Sequence, residues 1–278
     1  MLASDVAAAV QAAIVAAARG VQGSFKSLKI AATGLTNTSA VVTADEVMLE
    51  SSTPGDFLLA RSVNLTINSA SVGANGLDTG TVAGSTWYSV WVIGKADGTI
   101  AGLLSTSATA PTLPTGYTYK ARVGWVRTDG TANKYLLQTV QNGRRAQYVV
   151  TASSNVAGLP QMASGVAGTV ATAPTWVAVA TSGYVPSTAG VLFGGCYTTT
   201  SGGGGTQFAI AAPNNAYGGS LTVGSNPPLW YSAAIDNTAG IMTGVLLSNP
   251  MMLESSNIYW ASSAAAGRLF CSGWEDNI

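Results

Sequence analysis

Carboxylates are the side chains of this sequence best suited to acid–base chemistry, because the chain contains no histidine. Without His, a Ser–His–Asp triad, a Cys–His dyad, histidine-ligated zinc and an imidazole general base are all excluded. Glycoside hydrolysis would instead need two carboxyl groups about 5–9.5 Å apart. The acids considered for it are Asp45, Glu46 and Glu50 in the first half, and Asp236, Glu254, Glu275 and Asp276 in the second.

These acids do not form a convincing catalytic pair. Neighbours such as Asp45 and Glu46 point to opposite faces of a strand, so they would not meet across one substrate. The acids near the C-terminus are equally suited to capping turns or to pairing with Arg268. The chain also has no long solenoid repeat of the kind expected of a polysaccharide lyase. We expect no catalytic residue, no metal and no cofactor, and a polysaccharide depolymerase is the weakest alternative.

Aromatic rings beside amide side chains offer a different chemistry, the binding of sugars or of protein surfaces. Rings stack on sugar faces, while amides and hydroxyls hydrogen-bond to sugar edges. Such groupings occur at Asn214, Asn215 and Tyr217, at Trp230-Tyr231 after Asn226-Pro227-Pro228, and at Tyr259-Trp260 beside Asn257. A glycan and a protein receptor would use the same residues, so both alternatives stay open.

A purely structural role competes with binding for each aromatic residue. Trp260 and Trp274 lie in alternating strand patterns, which favours the core. For Trp230 and Tyr231, which lie on a predicted loop, core packing and ligand binding are equally supported. The candidate receptor contacts are Asn214, Asn215, Tyr217, Trp230, Tyr231 and Tyr259.

The elements that must position these residues are predicted to be β-strands. From Phe25 onward, short apolar or alternating runs are separated by clusters of Gly, Pro, Asn, Asp and Ser, as in a β-sandwich or barrel. Asp97-Gly98 and Asp129-Gly130 predict two tight hairpins. The predicted strands are Leu28–Ala32, Ala40–Leu49, Phe57–Ile67, Trp87–Ile93, Ile100–Ser105, Tyr117–Arg127, Lys134–Val140, Trp176–Ala180, Gly190–Tyr197, Gln207–Ala211, Ile241–Leu247, Asn257–Ser262 and Arg268–Trp274.

One helix, Ser4–Ala18, is predicted before the strands because alanine fills most of its positions. Its branched residues Val6, Val10 and Ile14 form a narrow apolar stripe. That stripe would pack either on its own domain or on sister copies at the axis of an oligomer. The first basic residue is Arg19, so the segment lacks the basic start of a signal peptide.

The charge distribution divides the chain in two. Overall, 12 basic and 12 acidic residues balance, which disfavours nucleic acid and anionic membranes as partners. Residues 1–145 hold 11 of the basic and 8 of the acidic side chains, whereas between Ala146 and Leu253 only Asp236 is charged. We predict an N-terminal helix and linker over 1–24, a first β domain over 25–147 and a C-terminal β domain over 148–278.

The nearly uncharged second half also predicts association between copies. Isolated β domains usually protect the edges of their sheets with charge, especially Lys. The second domain has little of it, so we expect sister subunits to cover its edges; the alternative is a monomer with short, twisted edges. Cys196 and Cys271 are expected to be free thiols, although one bridge between them stays open.

Two parts of the sequence resemble modules of tail-fibre and other virion proteins of tailed bacteriophages. The first part consists of Trp87–Thr99, Leu104–Tyr117 and Gly124–Gly130, and the second, which resembles a terminal module, of Leu253–Ala261 and Cys271–Ile278. The resemblance implies a trimeric, β-rich virion appendage that binds a structure on the host surface without metal or cofactor. It does not fix where on the particle the protein lies.

We therefore expect an all-β chain of two jelly-roll-like β-sandwich domains behind a short helix, intertwined or side by side in a homotrimer. Its expected function is that of a tail-fibre or tail-tip protein in the virion, which binds a host glycan or protein through the C-terminal domain. The alternative is a decoration or head-fibre protein of the capsid or baseplate that attaches to other virion proteins. Candidate residues for attachment or oligomerisation are Val6, Val10, Ile14, Arg144 and Arg145.

Overall fold

The computed structural model describes residues 20–170, 173–199, 205–219, 227–237, 240–243 and 247–278. The predicted helix Ser4–Ala18, with Val6, Val10 and Ile14, lies outside the described residues. Within them, every regular element is a β-strand, which confirms the all-β class. The chain divides into two compact units, the first ending at Gly143 and taking in Ile278, the second running from Arg144 to Asn277.

The regular elements described in the first unit are all β-strands. In chain order they are β1 (Phe25–Lys26), β2 (Lys29–Ala32), β3 (Ser39–Glu50), β4 (Phe57–Asn68), β5 (Gly76–Leu77), β6 (Trp87–Gly94), β7 (Ile100–Ser105), β8 (Tyr119–Arg127) and β9 (Thr139–Asn142).

The hairpin of β3 and β4 organises this unit. The two strands pair from Ser39↔Asn68 to Glu50↔Phe57, while the other edge of β3 pairs with β1 and β2. Strand β9 adds to β2, and β8 joins β3 at a single residue pair. Strand β6 lies between β8 and β7, and β5 runs parallel to β7.

The core of the first unit forms where β4 packs on β7. Alternate residues of β3 such as Ala40 and Val42 are fully buried, as expected when one face of a strand meets a core. Gly102 of β7 faces Ile67 of β4, and a Cβ at Gly102 would overlap the Ile67 side chain. A glycine is therefore needed here for β4 to approach β7.

The Asp97-Gly98 hairpin is confirmed. The backbone N–H of Lys95 donates to the carbonyl of Thr99 at 2.9 Å, and Gly98 has a φ of 87°. This left-handed conformation is costly for residues that carry a Cβ, which explains the glycine. Asp97 accepts a hydrogen bond from the N–H of Thr99, and that bond lowers the pKa of its carboxyl group.

The Asp129-Gly130 connection is wider than predicted. Asp129 donates its N–H to the carbonyl of Tyr135. A loop, rather than a two-residue turn, therefore connects these two residues. The left-handed residue is Lys134, with a φ of 53°. The predicted strand Lys134–Val140 is wrong over its first part, because β9 begins only at Thr139.

The second unit contains the remaining strands. They are β10 (Arg145–Tyr148), β11 (Gln161–Ser164), β12 (Val177–Ala180), β13 (Ala189–Tyr197), β14 (Gly205–Ala212), β15 (Trp230–Asn237), β16 (Gly240–Thr243), β17 (Leu247–Ser248), β18 (Met251–Met252), β19 (Asn257–Ser262) and β20 (Arg268–Asp276).

Two sheets make up this unit. In the first, β20 pairs with β13 along one edge and with β10 and β11 along the other, and β18 extends β13. In the second, the order is β12-β19-β14-β15, with β16 and β17 on the far edge of β15. Strand β13 packs against β14 and β15, which brings the two sheets face to face.

Three tryptophans fill the space between these sheets. Trp230, Trp260 and Trp274 are at most 2% exposed, which confirms the core prediction for Trp260 and Trp274. The indole of Trp230 lies on Gly194 of β13, where an added Cβ would lie 2.9 Å from it. Trp274 meets the ring of Tyr148 edge-on, with centroids 5.6 Å apart.

The two cysteines also lie in this core. Cys196 and Cys271 are buried and free, as expected. Burial raises the pKa of both thiols, that of Cys271 to about 12, because the thiolate would lose its hydration. In the described part of the chain, no helix is long and apolar enough to cross a membrane.

Candidate functional site

The best candidate site is a group of polar and aromatic residues at the loops of the second sheet of the second unit. We call it the loop cluster, and it consists of Trp176, Asn214, Tyr217, Pro227 and Glu254. Trp176 immediately precedes β12, Asn214 and Tyr217 follow β14, Pro227 precedes β15 and Glu254 precedes β19.

Strand pairing explains why residues so distant in sequence meet. Ala211 at the end of β14 pairs with Trp230 at the start of β15, and Ala212 pairs with Tyr259 near the start of β19. The loop after β14 therefore lies beside the loops before β15 and β19. Strand β12 pairs antiparallel with β19, with Val177 opposite Trp260, so Trp176 lies beside the end of β19 and meets the loop after β14 through Tyr217.

The polar part of the loop cluster is an amide held against a carboxylate. Asn214 donates from Nδ2 to Oε2 of Glu254 at 2.9 Å, and its Oδ1 accepts the N–H of Ala216 at 3.0 Å. Both ends of the Asn214 side chain are thus fixed, and the turn after β14 is closed by its own side chain. Glu254 remains exposed and forms no ion pair with a described residue.

The aromatic part consists of two half-buried rings. Trp176 and Tyr217 meet edge to face, with centroids 6.4 Å apart and ring planes at 79°. The indole N–H of Trp176 points to the carbonyl of Tyr217 at 3.4 Å, and the Tyr217 hydroxyl donates to the carbonyl of Pro227 at 3.2 Å. Each ring is oriented by its polar atom, and its carbon atoms remain partly exposed.

Gly219 supports the position of the Tyr217 ring. A Cβ at Gly219 would overlap Cε1 of Tyr217 and approach the carbonyl oxygen of Pro227 to 2.9 Å. The ring therefore lies against the backbone of Gly219. A larger residue at this position would push the ring away from Trp176.

The structure brings together three of the predicted receptor residues. Asn214, Asn215 and Tyr217 lie on the one loop after β14, with Asn215 exposed. Tyr259 is half-buried on β19, opposite Ala212 and thus on the strand next to that loop.

Tyr231 and Trp230 lie on β15 and not on the predicted loop. Tyr231 is half-buried, its ring centroid is 6.1 Å from that of Phe208, and burial raises its pKa. Trp230 is fully buried, and its indole N–H donates to the carbonyl of Asn249 at 2.5 Å. The binding alternative for Trp230 is therefore corrected, because no part of its ring is accessible to a ligand.

Sequence reasoning missed Trp176 and Glu254 as site residues. The sequence pattern places Trp176 in a strand, and it indicates for Glu254 a catalytic role, a turn cap or a pairing with Arg268. They lie 78 positions apart in the sequence. The loop residues that they contact, Asn214 and Tyr217, are also far from both in the sequence. No local pattern links them, and each contacts the loop after β14 only in the folded chain, Trp176 at Tyr217 and Glu254 at Asn214.

The candidate attachment residues Arg144 and Arg145 are both exposed. The guanidinium of Arg145 lies 4.0 Å from the centroid of the Phe193 ring, and Arg145 pairs across the sheet with Glu275. Arg145 is thus partly used in packing on its own unit.

Of the other C-terminal acids, Asp276 has a structural role. Asp276 is buried and accepts the hydroxyl hydrogen of Thr188 at 2.5 Å. The guanidinium of Arg268 donates to the carbonyls of Ala265 and Gly267. Among the described residues, no three His, Cys, Asp or Glu side chains are grouped so that they could hold a metal ion.

Comparison of the chain with protein-family models, with curated proteins and with solved structures finds no match. The loop cluster is therefore assessed from its own geometry.

Proposed function

We propose that this chain is a structural protein of a phage virion, of the tail-fibre or tail-tip type, that binds a host-surface glycan or protein. Each subunit contributes two jelly-roll-like β-sandwiches to a homotrimer, and the C-terminal unit carries the receptor site. The protein acts by adhesion without catalysis or cofactor, and it is located in the virion.

The loop cluster is the observation that carries this proposal. It combines two oriented, partly exposed rings with a fixed amide and an exposed carboxylate, on loops held by a well-packed sheet. Recognition sites commonly have this construction, with mobile surface elements positioned by a rigid scaffold. The buried, structurally engaged Asp276 and the lone Glu254 favour binding over two-carboxylate hydrolysis.

The edge of the second sheet supports association into a trimer. Strand β12, Val177–Ala180, is an outer strand without a charged residue, and Val177 is 42% exposed. An unprotected edge of this kind favours pairing with another chain. In a trimer, three weak sites would act together, because binding at one site raises the effective concentration at the others.

A second candidate function is decoration of the capsid or baseplate through other virion proteins. The exposed Arg144 and Arg145 favour it, since a pair of cations can guide docking to an acidic partner. In this alternative, the second unit would contact virion proteins, and no host receptor would be involved.

The two functions are distinguished by what the purified chain binds. Light scattering should give a mass near three times 28.0 kDa. A labelled trimer that stains cells of the host bacterium, with a heat-unfolded sample as control, supports the receptor-binding function. A sample that ignores cells but attaches to stripped phage particles would contradict it and favour decoration.

A further inference from the structure

We infer that the first unit binds an acidic polysaccharide along a row of cations on β8 and just beyond the end of β6. We call it the cation row, and it consists of Lys95, Lys120, Arg122 and Arg127. The inference concerns the first unit, so it stands whether or not the loop cluster of the second unit is the receptor site.

Strand pairing places the cations of β8 on one face of the sheet. Arg122 lies opposite Trp91 of β6, and Arg127 lies opposite Trp87. Residues directly opposite each other on paired strands share a face, and Lys120 shares it too because it lies two positions from Arg122. The other face of these two strands packs into the core of the first unit with Tyr88, Val90, Val92, Ala121, Val123 and Val126.

Each cation of the row lies over an aromatic ring. The distances from the charged group to the ring centroid are 4.9 Å for Lys95 over Tyr117, 5.5 Å for Lys120 over Trp91, 5.6 Å for Arg122 over Trp125 and 5.9 Å for Arg127 over Trp87. The Tyr117 ring packs on the cluster that contains Trp91, which places Lys95 at the same face. Such pairs occur roughly once in 70–80 residues, so four on one face are a concentration of positive charge.

The neighbouring carboxylates do not neutralise this charge by direct pairing. Glu50 lies opposite Lys120 across β3 and β8, but its Oε1 accepts a backbone N–H of its own hairpin at 3.1 Å. Asp97 lies in the turn after Lys95 and accepts a backbone N–H of that turn. Among the described residues, no carboxylate forms an ion pair with Lys95, Lys120 or Arg127.

The cation row suits a ligand that carries several anionic groups in line. Lys120 donates one N–H to the carbonyl of Thr109 at 3.1 Å, which leaves two of its three donors. Arg122 has five N–H donors, so a partner within the chain leaves others for a ligand. From Lys120 to Arg127 the strand spans roughly 20 Å, at about 3.3 Å per residue. A single small anion would meet only part of the row, whereas a polymer with repeated carboxylates or phosphates can meet all of it.

A cleft beside the row adds groups that can bind sugar hydroxyls. It has a volume of about 190 Å³, and its lining includes Trp91, Arg122, Thr109 and Gln22. The Gln22 amide donates from Nε2 to the carbonyl of Lys120 at 2.9 Å, so its Oε1 faces no competing bond from that contact and can accept a hydroxyl. The cleft therefore offers uncharged polar groups next to the positive charges, as an acidic sugar requires.

The position of the rings favours a polysaccharide over nucleic acid or protein. Single-stranded nucleic acids stack their bases on exposed rings, but Trp91 and Trp125 are only 2% and 4% exposed. Stable protein interfaces usually centre on aromatic or apolar anchors, whereas the tryptophans here lie beneath the cations. A hydrated polymer whose charges recur along its length needs only the charges and the polar groups beside them.

Binding of the whole chain to immobilised polygalacturonate and heparin, with dextran as the uncharged comparison, tests the inference. We expect binding to at least one acidic polymer and none to dextran. That binding should weaken at least about tenfold between about 50 and 200 mM NaCl, because cations that bind a polyanion release its counterions. Absence of binding to both acidic polymers at about 50 mM NaCl, or equal binding to dextran, would overturn the inference.

Paired substitutions separate the row from the net charge of the chain. Lys120→Gln/Arg122→Gln should weaken binding at least about tenfold. The matched control Lys26→Gln/Lys29→Gln removes two exposed cations of β1 and β2 and should cost about twofold at most. Equal losses in the two variants would contradict the row. If circular dichroism shows that the first variant is unfolded, Lys95→Gln/Lys120→Gln replaces it, and unchanged binding by that folded variant would overturn the assignment.

Competition between polyanions decides the class of ligand. Soluble polygalacturonate or heparin should displace the bound chain, while poly-glutamate and single-stranded DNA at the same concentration of charge should displace it several-fold less. If either of these competes equally well or better, the polysaccharide assignment is wrong and the row is a site for acidic proteins or nucleic acid. Because all these variants lie in the first unit, a negative result would leave the receptor function proposed for the second unit intact.

Discussion

Replacement of Trp230 by Ala tests whether this residue is part of the core. Its indole is fully buried, lies on Gly194 of the opposite sheet and donates a hydrogen bond to the carbonyl of Asn249. Removal of a buried Trp side chain costs about 3–5 kcal/mol, and the lost hydrogen bond adds about 1 kcal/mol. We therefore expect Trp230→Ala to destabilise the second unit by about 4–6 kcal/mol.

Thermal unfolding followed by calorimetry and near-UV circular dichroism measures this loss. For a unit of this size, 1 kcal/mol corresponds to roughly 3–5 °C in Tm, so Trp230→Ala should lower one transition by roughly 12–30 °C. Trp230→Phe keeps an aromatic ring in the core and should lose roughly a third as much. Tyr197→Ala, on the exposed surface, should change Tm by about 2 °C or less.

The result that would refute this reasoning is a stable Trp230→Ala variant. If its transition lies within about 3 °C of wild type while receptor binding is lost, Trp230 is a contact residue and not a core residue. That outcome would also question the packing of β13 on β15, since the Trp230 side chain lies against Gly194 of β13.

Further predictions concern the first unit and the thiols. Gly102→Ala should destabilise the first unit by about 1–3 kcal/mol in denaturant unfolding, and less on an Ile67→Ala background, because the added methyl overlaps Ile67; equal losses would contradict this contact. Gly98→Ala should cost about 1 kcal/mol by the same measurement, because φ is 87° there; no loss would contradict the turn. Cys196 and Cys271 should react with a thiol reagent at pH 8 only after unfolding; rapid labelling of the native protein would contradict their burial. Both native pKa values are raised, so the unfolded thiols ionise first, and stability should fall as pH rises from about 9 towards 12; a flat profile would contradict this.

The fold class could be predicted from the sequence because most strands carry a local pattern. Strands β3 and β4 contain alternating apolar and polar residues and are bounded by Gly, Pro and Asn, so the sequence predicts their limits to within one residue. The Asp97-Gly98 hairpin is also predicted from a local pattern, the Asp-Gly pair itself. Its left-handed glycine is dictated by two adjacent residues.

Strand β15 shows why other parts could not be predicted. Trp230–Asn237 follows Pro227-Pro228, a typical loop signal, and its pattern of Ser and Ala resembles the surrounding loops. It becomes a strand because β14 and β16 pair with its two edges. Tertiary pairing overrides the local signal, and it decides for the core at Trp230, where the sequence supports core packing and ligand binding equally.

The loop cluster was only half predictable for a related reason. Asn214 and Tyr217 are close in sequence, so their shared loop was evident. Trp176 and Glu254 join them only through strands β12 and β19. Residues that meet across a sheet of non-consecutive strands leave no spacing in the sequence.

Inhibition of phage adsorption tests the central claim most directly. Host cells are incubated with the purified chain before the phage is added, and adsorbed particles are counted. We predict that wild type and Tyr197→Ala block adsorption, whereas the folded double variant Trp176→Ala/Tyr217→Ala does not. Equal blocking by the double variant would show that the loop cluster is not the receptor site, and no blocking by wild type would contradict the receptor-binding function itself.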